Sequence, residues 1–88
     1  LFIDSSKTLT TGIHAAFEAG NATALREAAH ALKSSSGNVG ATGLAEIAGE
    51  LEALGLGTSP GAAAQLVDRM FQEHLRVINA LKDQRRAA

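Results

Sequence analysis

The 88-residue sequence has no cysteine, no tryptophan and no tyrosine, and only one proline and three phenylalanines. Without cysteine there is no disulfide framework, no thiolate nucleophile and no Cys-based zinc site, so a chain this small must be held together by packing. The same absence fits a reducing compartment. So few aromatics leave little on which bases could stack. Eight Lys and Arg against nine Asp and Glu, a formal net charge of -1, make no basic face. Nucleic acid is therefore not an expected partner. No apolar run approaches the roughly 20 residues that span a bilayer, and the N-terminus lacks the charged-then-apolar layout of a signal peptide. No membrane contact is expected of this domain. The chain opens with Leu1 rather than Met, and the expectation is a piece excised from a longer protein.

What is present is helical. With 45% hydrophobic residues and no long polar tract, the chain reads as a single domain over residues 1–88. In a first segment Phe2, Leu9, Ile13, Ala16 and Phe17 recur at helical spacing. Gly20 then supplies a C-terminal stop and Asn21 an N-cap for the next helix. A second segment runs from about residue 22 to 39, with a core stripe of Leu25, Ala28, Leu32, Ser35 or Ser36, and Val39, and Gly40 closes it. A third carries Leu44, Ile47, Ala48, Leu51 and Leu54. It ends in "GLGTSPG", residues 55–61, where Ser59 and Pro60 read as an N-cap and first helical residue. The fourth places Leu66, Val67, Met70, Phe71, Val77, Ile78 and Leu81 at helical spacing, with Arg85 and Arg86 near the negative end of the helix dipole. No alternating strand pattern competes. Four amphipathic helices on short connections predict an all-α fold, an antiparallel up-down-up-down four-helix bundle.

One stretch departs from plain helix. "HALKSSSGNVGAT", residues 30–42, sets a histidine, a lysine, three serines and two glycines in the second helix and its end. At about 100° per residue His30 lies about 200° from Ala28 and from Leu32, so its imidazole should point outward. Arg26, Lys33, Ser34 and Gly37 share that outer surface at helical spacing. Glycine within a helix costs up to about 1 kcal/mol relative to alanine, so something other than helix propensity placed these small residues. Ser35 and Ser36 read as small residues that let helices approach. Gly37 could equally admit a neighbouring helix or an external partner. His14 and His74, on other helices, read as surface or structural residues. No pair of histidines shows ligand spacing on one helix, so no metal site is expected.

With these residues in place, "AHALKSSSGNVGATGL", residues 29–44, resembles the signature of histidine-containing phosphotransfer domains, the four-helix modules of multistep two-component signalling. His, Lys three later, a small-residue run, Gly seven later and Gly-Ala ten and eleven later occur together. The likeness extends to "EAGNATALREAAH", to "LAEIAGELEALG" and to the Pro-started fourth helix, covering nearly the whole chain. It implies that His30 is the phosphoacceptor, that Lys33 neighbours the phosphoryl group, and that Arg26, Ser34 and Gly37 belong to the docking surface, with Gly37 keeping it open. Ser34 stands where the family often carries glycine, and the short leading helix of many members is missing or cut away. The implied function is to accept a phosphoryl group from a receiver-domain aspartate onto His30 and pass it to another receiver. The implied partners are receiver domains of response regulators or of the parent, which the resemblance makes a hybrid sensor histidine kinase, with the inner membrane as the place where such a parent can be anchored. The domain itself would then be cytoplasmic, and monomeric when isolated. It needs no intrinsic cofactor, because magnesium is expected in the partner receiver.

The chemistry asked of His30 is nucleophilic attack by a neutral imidazole on an acyl phosphate. An ordinary exposed histidine is largely neutral near pH 7, so no dedicated base is needed. Lys33, with Cβ atoms about 5 to 6 Å apart at this spacing, can offset phosphoryl charge. No Walker-type Gly-rich loop is present, so the chain is expected to carry phosphate without autonomous kinase activity. Two other classes share this sequence. One is a non-catalytic interaction module that binds a partner through the face around His30. The other is a purely structural dimerisation bundle, which would need an apolar seam beyond the stripes that the four helices use for their own core.

Overall fold

The computed structural model describes residues 2–54 and 60–87. Its elements are α1 (Phe2–Ala19), α2 (Ala22–Asn38), α3 (Thr42–Leu54) and α4 (Pro60–Ala87). The 55–59 linker, with Ser59 as the expected N-cap, lies outside the described residues, as do the side chains of Arg85 and Arg86.

The two described turns follow from their glycines. At the end of α1, Gly20 takes φ +69°, while its N–H reaches the Phe17 carbonyl at 3.2 Å and that of Asn21 reaches Ala16 at 2.9 Å. The end of α2 repeats this at Gly40, φ +77°, with Gly40 N–H to the Gly37 carbonyl at 3.1 Å and Ala41 N–H to Ser36 at 2.8 Å. This paired arrangement satisfies otherwise orphaned carbonyls and needs a left-handed residue, which glycine adopts without steric cost. Asn21 serves both helices it joins: its Oδ1 also accepts the Ala24 N–H at 3.0 Å, capping α2. Val39 is the C-cap, so α2 closes one residue short of the expected limit.

Each helix packs against two neighbours, α1 on α2 and α4, α3 on α2 and α4, and among the described residues the backbones of the diagonal pairs stay further apart. The registers run in opposite senses. His30 of α2 meets Glu52 of α3, and three residues further along α2 the Lys33 stem lies by Gly49, three residues back along α3. On α4, Arg69 reaches Glu50 and Glu73 lies at Gly43, again reversed. This is the order of neighbours that an up-down-up-down bundle has. Ile13, Leu25, Leu32, Leu44, Leu51 and Met70 fill the core with next to no exposure. Each such side chain contributes about 1.5–3 kcal/mol by leaving water.

Three expected core positions differ. On α2 Ala29 is the fully buried alanine while Ala28 is half-buried and packs against the core beside it, and Val39 is 46% exposed, because the chain has already left the helix there. Phe71, expected inside, lies at the surface with its ring edge-on to His14, centroids 5.8 Å apart. The inward positions beside it are filled by Val67, Met70 and His74 instead. The core also holds polar groups: Ser6, Thr10, Ser36 and His74 are all buried. His74 Nε2 lies 2.8 Å from Ser6 Oγ, which in turn donates to the Ile3 carbonyl at 3.2 Å. The hydroxyl's single proton is thereby used, and the imidazole N–H donates to the serine oxygen. Burial first, and the Lys7 ammonium second, hold the His74 imidazole below the usual histidine range.

Candidate functional site

His30 sits midway along α2, a helix started by the Asn21 cap and aligned by the burial of Leu25, Ala29 and Leu32. Those three side chains fix the rotation of the helix, and His30 is left on the outside, 65% exposed. Its ring is nevertheless held. Nδ1 lies 2.7 Å from Oε2 of Glu52, which reaches across from α3 and is only 26% exposed. An ionised carboxylate can only accept, so the proton on this hydrogen bond belongs to Nδ1 and the neutral ring carries its lone pair on Nε2. The second oxygen of the same carboxylate, Oε1, lies 3.7 Å from the Lys33 ammonium. Glu52 thus joins the imidazole and the lysine that the sequence pairs only by spacing.

The other expected residues fall on the same side. Arg26, Ser34 and Gly37 are all exposed on α2. Arg26 makes no ion pair among the described residues. Among the described residues a Cβ at Gly37 would meet nothing within 4 Å, so none of their helices needs the space. His14 and His74 lie apart from this face: His14 pairs on the surface with Glu18 at 3.4 Å, and His74 is in the core. Among the described residues no group of three or more His, Asp or Glu side chains could hold a metal ion. No helix among them is long and apolar enough to cross a membrane.

Glu52 is the residue that sequence reasoning missed. Its only local signal is its place next to the core residue Leu51, at the boundary of α3's buried stripe. Nothing in the spacing of residues 30 and 52 connects them until α2 and α3 fold back on the turn at Gly40. His30 and Glu52 are equidistant from Ala41 in the chain, as are Lys33 and Gly49. The antiparallel pair brings such positions level.

On the outer face of α2 the bundle thus presents the exposed His30 imidazole, held across the helix pair by the Glu52 carboxylate through one ring nitrogen. Residues 1–87 match the family model of the Hpt domain, and the chain belongs to that family, the histidine phosphotransfer domains of two-component phosphorelays. No curated protein and no solved structure matches the chain. Family membership places the domain in phosphorelay signalling, with receiver domains as the kind of partner it meets.

Proposed function

We propose that His30 is the phosphoacceptor and that the domain takes a phosphoryl group from an aspartyl phosphate of one receiver and gives it to an aspartate of another. The observation that carries this reading is the His30–Glu52 pair. With Nδ1 donating to Glu52 at 2.7 Å, Nε2 is left as an exposed lone pair on the outer face. In the forward step Nε2 attacks phosphorus, a P–N bond forms, and the P–O bond to the receiver's aspartate breaks to release its carboxylate. No proton has to leave Nε2, because it carries none, so no general base is required. The positive charge that develops on the ring lies against the Glu52 carboxylate. Lys33 stands one turn away to offset phosphoryl charge. In the reverse step a second receiver's aspartate attacks phosphorus and the imidazole departs neutral.

Arg26, Ser34 and Gly37 form the surface that the receiver covers, with Gly37 leaving it open. Magnesium and most stabilisation of the transferring phosphoryl come from the receiver. The domain works as a monomer in the cytoplasm, as part of a hybrid kinase. Incubation with a phosphorylated receiver tests the assignment. His30→Gln should lose all label with helical content unchanged, while His14 and His74 variants still label. The label should be acid-labile and base-stable, as a phosphoramidate is. A receiver that binds the wild-type chain without labelling it would leave an interaction module in place of a carrier.

A further inference from the structure

Gly49 stands in the interior of α3, where glycine costs up to about 1 kcal/mol relative to alanine. Its backbone does not need glycine, since only Gly20 and Gly40 have positive φ among the described residues. Core packing does not need it either. Among the described residues a Cβ at this position would meet Lys33 alone, at 3.7 Å from Cδ and 3.9 Å from Cε. The bare backbone of α3 is therefore the surface across which the lysine stem lies. That stem, half-covered, delivers its ammonium to within 3.7 Å of Glu52 Oε1, beside the imidazole that the other oxygen holds. Gly49 and Lys33 also line the same open groove between α2, α3 and α4.

We infer that Gly49 is a positioning residue for phosphotransfer: by being no larger than the seat allows, it lets the aliphatic part of Lys33 lie along α3 and so sets where the ammonium meets the phosphoryl group. The inference rests on His30 being the phosphoacceptor. An alanine fits the seat, because 3.7–3.9 Å is ordinary van der Waals contact. Any branched or longer side chain fills the space that the stem occupies and turns the lysine outward, away from both Glu52 and His30. The residue acts only through Lys33.

The test uses Gly49→Ala, Gly49→Leu, Lys33→Ala and the double variant Lys33→Ala/Gly49→Leu. Each is labelled by phosphoramidate, which has no docking surface to lose, and by a phosphorylated receiver, and the half-life of the isolated phosphohistidine is then followed. Gly49→Leu should reproduce Lys33→Ala, slowing labelling by both donors or shortening the half-life by about two- to fivefold, the span of an exposed charge interaction. Gly49→Ala should behave as wild type, and the leucine should add nothing where Lys33 is already alanine. The proposal is overturned if Gly49→Leu matches wild type while Lys33→Ala is slow, or if it is slow only with the receiver, which would make it a docking residue. It is overturned equally if Lys33→Ala is itself without effect, or if Gly49→Leu loses helical content while Gly49→Ala shows no gain in stability. A wild-type chain that takes no label at His30 from either donor overturns the phosphoacceptor reading, and this one with it.

Discussion

The Glu52 carboxylate holds His30 through Nδ1 at 2.7 Å, from a helix 22 residues further along the chain. This one hydrogen bond leaves Nε2 as the open ring nitrogen, the atom that the proposed transfer uses. Glu52→Ala should release the tautomer preference, which is read directly from the ¹⁵N shifts of the His30 ring in the unphosphorylated domain. Labelling should slow by no more than about fivefold, because the pair is partly exposed and such interactions rarely exceed about 1 kcal/mol. Glu52→Gln, whose amide oxygen can still accept from Nδ1–H, should keep the tautomer and recover most of the rate. Unchanged shifts in Glu52→Ala would remove Glu52 from the site.

Gly37 offers a test of the docking surface that is independent of chemistry at the ring. About two turns from His30 and about 10.5 Å along the axis, it faces open space among the described residues, so a side chain there disturbs nothing within the bundle. Gly37→Gln should hold or raise thermal stability, since glutamine is the better helix former by several tenths of a kcal/mol. Transfer from a receiver should fall at least tenfold while labelling by phosphoramidate continues. Receiver transfer at the wild-type rate would place the docking surface elsewhere.

Ser36 is fully buried and its hydroxyl has no hydrogen-bond partner among the described residues. An unpaired buried hydroxyl costs about 1–3 kcal/mol of desolvation. Ser36→Ala should therefore stabilise the domain by about 1 kcal/mol, seen as a higher urea midpoint with an unchanged slope. A lower midpoint would mean that the hydroxyl has a partner, such as a buried water.

His74 gives the fold an acid dependence. Its imidazole is held below the usual 6.5 by burial and then by Lys7, so the unfolded chain takes up a proton more readily than the folded one. The contribution of the neutral buried ring is complete above the unfolded value near 6.5 and is lost as pH falls below it towards the folded value. Urea midpoints measured from pH 7.5 down to 5 should drop in the wild type. The drop should shrink in His74→Asn, which keeps a donor for Ser6 but does not titrate. Equal slopes in the two proteins would assign the acid sensitivity to other groups.

Much of this architecture is legible in the residues themselves. Gly20, Asn21 and Gly40 mark their turns because a left-handed cap and a side-chain cap are local chemistry, and the stripe of Leu44, Ile47, Ala48 and Leu51 is buried as its spacing implies. The outward direction of His30 follows from the same periodicity. Less legible are the features decided between helices. Alanine stripes are ambiguous, and whether Ala28 or Ala29 faces inward depends on how closely α2 approaches its neighbours. His74 looks amphipathic in sequence, and only the approach of Ser6 from α1 makes its burial affordable. Glu52 is the clearest case, because a carboxylate beside a core leucine is ordinary until an antiparallel partner brings a histidine level with it.

The turn that ends α2 has a bearing on the chemistry although none of its atoms takes part. Because His30 and Glu52 lie at equal chain distance on either side of Ala41, the turn is the ruler from which the site is measured. Inserting or deleting a single residue there would rotate α3 against α2 by about 100° and slide it by about 1.5 Å. Both helices could persist while the imidazole lost its carboxylate and the lysine lost its seat. The working geometry is thus written in the length of a connection as well as in side chains, and variation in that length would be expected to silence phosphotransfer before it unravelled the fold.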